Sequence, residues 1–430
     1  MKKTMKHFLS AFLSVCLLFG LVSCNIPFFS EEEEMTKTTT EIESGVSTEG
    51  DNSEEVTDTT SPDEGDKKPG NEEEDKDVLK VNSSTAGIKL LGKRAVVSDS
   101  QINCDWSGSG IEFSVFLTDR TVSLEVQTDG PCYFRAYVDG AEWKTLTGSV
   151  YHQVSGGKGV INLTGLTPAK QHTIRIVRVT DAMFGTAAIT KIKMTGVLQT
   201  TVLSDSNLYI EFVGDAETVG MGKIASGKND YTAEDITLAY SYQLAQCMNA
   251  EYSVVAQSSS LPLSLNGELA LGLYQLAAPN RDDSAVYDFA KKPNVVVVNL
   301  GTDDFTNCGE DGVSAEAFAI AYESLIRLIA EKNGTDCRIV CVYDNAWGDF
   351  ATAISTVVSK LGGQNAGVYT CQRVAGEDGV LDATEQATLL VALQSAVNNA
   401  LNGVITEREL DTETNGDGLD VSYDDFVTLT

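Results

Sequence analysis

Between residues 198 and 402 short apolar runs alternate with helix-period segments, and that alternation leaves few folds open. Strands separated by helices build a parallel sheet covered on both faces. The strand runs are 208–213, 252–256, 294–300, 338–343 and 368–371, with Pro293 at the entrance to the third, where a strand tolerates it. The segments 239–248, 315–331, 351–360 and 384–401 carry helical periodicity, and Glu316, Glu323, Arg327 and Lys332 fit a solvated helix face. The expected domain is a flavodoxin-like three-layer α/β/α sandwich. Its first strand ends in Gly214-Asp215-Ala216-Glu217-Thr218-Val219-Gly220-Met221-Gly222, a glycine-spaced loop. In an open parallel sheet the carboxyl ends of the strands are where ligands bind.

Residues 78–197 carry a different period. Alternating runs occur at 111–116, 121–126, 133–138, 159–163 and 172–177, and Asp139-Gly140 is a tight hairpin signal. Period-two alternation at this spacing predicts an all-β domain, a β-sandwich.

The ends of the chain read differently again. Residues 1–24 form an export signal: a basic start with Lys2, Lys3 and Lys6, an apolar stretch from Phe8 to Val22, and Leu21-Val22-Ser23-Cys24. That last motif resembles a bacterial lipobox, which implies cleavage before Cys24 and a lipid on its thiol. An ordinary secretory peptide is the alternative. Residues 25–77, with the acidic run Glu31 to Glu34 and almost no apolar residues, form an extended linker that cannot offset the entropy of ordering. With 62 acidic and 31 basic residues, a net charge of −31 repels nucleic acid and anionic lipid headgroups. Of nine cysteines, seven lie beyond Cys24, in no metal-type spacing, and Cys337 and Cys341 flank a strand run as core thiols.

Two stretches carry a family resemblance. Trp106-Ser107-Gly108-Ser109-Gly110-Ile111-Glu112-Phe113, the turn at Asp139-Gly140 and His172-Thr173-Ile174-Arg175-Ile176 resemble the N-terminal jelly roll of carbohydrate esterase family two, acetylxylan esterases. The blocks of residues 198–402 resemble an SGNH (GDSL-type) hydrolase domain. The resemblance implies a serine nucleophile, a histidine base, and an oxyanion hole of backbone and asparagine donors.

The chemistry those blocks need is missing. The nucleophile position holds Ala216. Ser259 stands where the oxyanion glycine is expected, and Asp303 replaces the asparagine in Gly301-Thr302-Asp303-Asp304-Phe305. A carboxylate there accepts hydrogen bonds instead of donating them. In the last block, Glu377-Asp378-Gly379-Val380-Leu381-Asp382, either Val380 or Leu381 occupies the histidine position. The only histidines are His7, His152 and His172, so residues 198–430 contain none. Loss of nucleophile or base alone removes of order 10⁶ of catalysis in one hydrolase.

What remains is acidic. Asp215, Glu217, Asp303 and Asp304 form either a cation-binding pocket or a set of helix caps. Trp347 and Tyr343, at a strand end, either stack on a sugar or pack in the core, and Trp106 and Trp143 carry the same ambiguity. The acidic tail, residues 403–430, resembles an EF-hand or dockerin loop, with Glu413, Asn415, Asp417, Asp424 and Asp425 as Ca²⁺ ligands; its spacing departs from the motif and a solvated tail is the plainer reading. No other cofactor is called for.

The sequence favours a lipid-anchored, extracytoplasmic protein, bound to a bacterial membrane through Cys24, whose former active-site cleft binds polysaccharide or a protein partner without catalysis. Two rivals stay open: a working carbohydrate acetyl esterase with relocated catalytic residues, and an assembly module recruited through the calcium-binding tail.

Overall fold

In a computed structural model, the described residues are 78–80, 86–98, 100–200, 203, 205–225, 230–258, 262–279, 286–375 and 381–405. The signal with Cys24, the linker, Ser259, Val380 and the tail with Glu413, Asn415, Asp417, Asp424 and Asp425 lie outside them.

The first domain is all β, with strands β1 (Val78–Lys80), β2 (Ile88–Leu91), β3 (Val96–Val97), β4 (Ile102–Asn103), β5 (Gly110–Thr128), β6 (Cys132–Val138), β7 (Ala141–Trp143), β8 (His152–Val154), β9 (Gly157–Thr164), β10 (Lys170–Arg178) and β11 (Ala187–Leu198). The runs 111–116 and 121–126 are one strand, not two. β5 is 19 residues long, pairs with β10 along its first half and β9 along its second, and lies beside β11 for much of its length. Its inward residues are Ile111, Phe113, Val115 and Leu117, then Val122, Leu124 and Val126, so the buried parity switches once. The pairing with β11 shifts register between Met194 and Gly196, at that switch. A bulge re-aims a strand in this way, which lets one strand wall two sides of a core. The β6–β7 hairpin turns on Asp139 and Gly140, at φ 54° and 82°, the left-handed pair that a tight hairpin requires.

The second domain contains five parallel strands, β12 (Tyr209–Gly214), β13 (Glu251–Ala256), β14 (Val295–Asn299), β15 (Arg338–Asp344) and β16 (Val368–Arg373). Their order is β13-β12-β14-β15-β16, the flavodoxin-like order expected. The helices are α1 (Ala216–Val219), α2 (Tyr240–Cys247), α3 (Leu263–Tyr274), α4 (Thr302–Thr306), α5 (Ala315–Asn333), α6 (Asp349–Lys360) and α7 (Ala383–Asn402). α3, α5 and α6 bury Leu263, Leu271, Leu325, Ile329 and Ile354 against Val296, Val298, Ile339 and Cys341. α2 and α7 bury Leu244, Leu389, Leu393 and Val397 against Val295, Val297, Val340 and Val342. Successive residues of β14 and β15 therefore face opposite layers, which is why these strands read as continuous apolar runs.

Charged side chains fasten the two domains together. Arg94 reaches from the loop after β2 to Glu211 in the middle of β12, donating at 2.9 and 3.1 Å, and to the Tyr274 and Leu276 carbonyls. Its guanidinium lies over the rings of Tyr274, Tyr287 and Phe289. Arg135 of β6 donates to Asp235 at 2.9 Å, and Tyr252 of β13 donates to the Gly108 carbonyl at 2.6 Å.

Candidate functional site

The glycine-spaced loop follows β12, as its sequence requires. Gly214 ends the strand, and a side chain there would collide with Thr218 Oγ1 at 2.0 Å. Asp215 is the N-cap of α1 and accepts from the Glu217 amide at 3.3 Å. Ala216 follows it, partly exposed, as the first helical residue. Thr218 is buried and bonded to the Tyr240 hydroxyl at 2.8 Å, so its hydroxyl does not reach the loop surface.

The four carboxylates divide into two kinds. Glu217 points inward and is neutralised: Arg373 donates to it from the end of β16, the Leu381 amide donates at 3.2 Å, and Asn299 Nδ2 donates at 3.4 Å. Asp304 is spent on the start of α3, accepting from the Leu263 and Ser264 amides at 2.9 Å each. These are the loop and cap roles that the sequence left open.

Asp215 and Asp303 are different. Both line a cleft at the carboxyl ends of β12, β13 and β14, walled by Trp106, Val213, Val255, Leu263, Leu269, Ala270, Leu273 and Leu300, with Gln257 and Asn266 as the other polar side chains among the described residues that line it. Asp215 is only 6% exposed, yet no hydrogen bond reaches its Oδ2 from the described residues. The Asp303 side chain accepts no hydrogen bond among them, and neither carboxylate forms an ion pair with them. Burial, then the Asp303 and Glu217 carboxylates, hold the Asp215 carboxyl well above the usual range. Burial, then the Asp304 and Glu217 carboxylates, push Asp303 up to about 6. Two like charges facing one poorly solvated space disfavour each other's ionisation, so the pair binds a proton more readily than separate carboxylates would.

Trp347 is not available to stack on a sugar. It is 2% exposed, lies against Gly301, and has the Arg373 guanidinium over its ring at 4.8 Å. Tyr343 packs against the same core. Trp106 is 3% exposed and donates to the Ala277 carbonyl at 3.1 Å, which sets its edge into the cleft wall. Trp143 packs on the sandwich core. Leu381, one of the two candidates for the histidine position, is buried among aliphatic side chains. His152 and His172 belong to the sandwich, bonded to the Trp143 carbonyl and to Asp139 at 3.0 and 2.9 Å. Among the described residues no group of three or more His, Cys, Asp or Glu side chains is arranged to hold a metal ion. Cys337 and Cys341 are buried core thiols.

Arg373 and α3 escape the sequence reading. Strand run 368–371 stops two residues short of Arg373, although a charged residue at the carboxyl end of a buried strand points toward a site. α3 contains Gly267 and Gly272 and a kink at Asn266, which hide its helical period.

A β-sandwich joined to a doubly wound sheet with its cleft at the β12 loop is a fold shared with solved structures of family two carbohydrate esterases. Residues 92–200 match the carbohydrate esterase 2 N-terminal family, and both domains are similar to family two carbohydrate esterases. The chain is 27% identical over 273 residues to the cellulase/esterase CelE of Acetivibrio thermocellus, covering 61% of this chain but only 32% of that relative's length. It is 25% identical over 307 residues to an acetylxylan esterase / glucomannan deacetylase of Cellvibrio japonicus, covering 66% of this chain and 82% of the relative. The solved structure of a family two carbohydrate esterase from Clostridium thermocellum in complex with cellohexaose shares the fold, with TM-score 0.64 and 23% identity over 73% of this chain and 99% of that one. No helix among the described residues is long and apolar enough to cross a membrane.

Proposed function

We propose that the protein is a carbohydrate-binding relative of the family two esterases that performs no acyl transfer, tethered outside the cell by a lipid on Cys24. One observation carries the reading: Ala216 stands at the position of the nucleophile, directly after the cleft-lining Gly214 and Asp215, while residues 198–430 contain no histidine to act as base. The position that should supply an oxyanion donor supplies the Asp303 carboxylate instead. Losing one such donor costs roughly 10²–10³ in rate. The cleft itself persists, apolar with a few convergent polar groups, as ligand sites are. Polysaccharide is the favoured ligand because the relatives are named as cellulase, acetylxylan esterase and glucomannan deacetylase.

The rival, hydrolysis with relocated residues, has one observation in its favour: Asp303, at about 6, has the proton affinity of a general base. It still lacks an oxyanion donor. Retention on insoluble xylan, glucomannan and cellulose tests the binding reading. The wild type is retained on at least one of them, and Ala270→Trp, which fills the cleft, is not. Equal retention of both, or of neither, sinks it.

A further inference from the structure

Resting on the reading of the cleft as a binding site, we propose that its ligand carries a primary ammonium group on a sugar ring, received between the Asp215 and Asp303 carboxyl groups with the ring on the apolar wall. The other acids of the loop already have partners: Glu217 has Arg373, and Asp304 has two amides. Asp215 and Asp303 form no ion pair with the described residues, Arg373 acting on Asp215 only from its place beside Glu217, and the cleft-lining Asp215, only 6% exposed, accepts no hydrogen bond from them at Oδ2. A buried carboxyl pair without a counter-charge is costly to keep, and a bound cation removes that cost.

The cation is organic. A Ca²⁺ ion takes 6–8 oxygen ligands, whereas among the described residues the polar lining beyond the two carboxyls is Gln257 and Asn266. The remaining wall, with Leu263, Leu269 and Leu300, suits a ring face. Exchanging an amide donor for a carboxylate at position 303 also changes what the cleft rewards, from an oxygen that accepts hydrogen bonds to a nitrogen that donates them.

The binding is linked to protons. The groups facing Asp303 are the Asp215, Glu217 and Asp304 carboxylates, and Arg373 acts on Asp215; α3 and the Gln257 segment present no titratable group among the cleft-lining residues. Burial and the neighbouring carboxylates raise the proton affinity of both members of the pair, so an ammonium that favours their charged forms releases any proton the pair holds.

Calorimetry on the full chain near physiological salt, at pH about 6.5 where the amines are largely charged, tests this with a β-1,4-linked glucosamine oligomer, its N-acetylated counterpart, and cellohexaose. The free-amine oligomer binds about tenfold or more tightly than either neutral one. Its heat varies with the ionisation enthalpy of the buffer, and its affinity falls as the pH drops below about 6. Asp303→Asn, which is nearly isosteric and changes a net charge of −31 by one, abolishes that preference; general attraction to an acidic protein would survive the change. Asp215→Asn provides a second variant should the first misfold. Equal binding of cellohexaose and the amine oligomer, unaffected by Asp303→Asn, overturns the ligand class while leaving the cleft a carbohydrate site. A Ca²⁺ heat sensitive to Asp303→Asn overturns it in favour of a metal. If no oligomer binds, the binding reading falls with it.

Discussion

Glu211 and Asp181 are both buried where the sandwich meets the α/β domain, and their surroundings are opposite. Glu211 receives Arg94, Ser253 Oγ at 2.7 Å and Tyr209 at 3.4 Å. Burial alone would raise its pKa, but the Arg94 charge prevails and holds it below the usual value. Asp181 faces another acid. Its amide donates to Glu234 at 2.8 Å, and the two carboxylates share Ser258, whose amide donates to Asp181 at 2.5 Å and whose hydroxyl donates to Glu234 at 2.9 Å. Burial and the Asp181 charge push Glu234 up to about 8. The same division recurs within the cleft, between Glu217 with its arginine and Asp215 with Asp303. A guanidinium beside a carboxylate favours its charged form; another carboxyl beside it disfavours that form and raises the proton affinity. Of the second kind, Asp215 and Asp303 line the cleft at the carboxyl ends of β12, β13 and β14, whereas Asp181 and Glu234 are buried against Ser258, just after β13.

Breaking the first kind has the largest expected effect. Arg94→Met leaves Glu211 buried without a counter-charge and costs about 3–5 kcal/mol of stability in urea denaturation, whereas Arg94→Met with Glu211→Leu recovers most of it. A loss under about 1 kcal/mol in the single variant would contradict the assigned pairing. The second kind is read through pH. Glu234 binds a proton in the folded state between its ordinary value near 4.5 and about 8, where the unfolded chain does not, so stability declines as pH rises through that window. Denaturation midpoints at pH 5.5 and 8.5 should therefore differ in the wild type and draw together in Glu234→Gln; an unchanged slope argues against the carboxyl pair. The smallest effect belongs to Asp303, which is partly exposed. Its folded value near 6 exceeds the ordinary 3.8, so the charged side chain weakens the fold above that range. Asp303→Asn should raise the midpoint at pH 7.5 and leave it unchanged near pH 3, where both states are protonated.

The five parallel strands were legible because two-sided burial demands runs such as Val295-Val296-Val297-Val298, and the β12 loop because its glycines follow such a run. β5 reads as two runs, 111–116 and 121–126, because Thr118-Asp119-Arg120 interrupts the apolar alternation; in the fold it is the exposed point where one strand changes its inward face. Asp215 and Asp303 could be placed from the order of the blocks. Their partners could not: Arg373 meets Glu217 across 156 residues and Arg94 meets Glu211 across 117, and no local pattern encodes such pairings. Trp347 shows the same limit, since only packing reveals that its face is covered by Arg373.

The central claim is that the chain kept the cleft and lost the chemistry. Acetate released from acetylated xylan, followed over hours for the wild type beside Asp303→Ala, tests it most directly. The account predicts that both release acetate at the rate of buffer alone. Release by the wild type that disappears in Asp303→Ala would show a relocated hydrolase and contradict it.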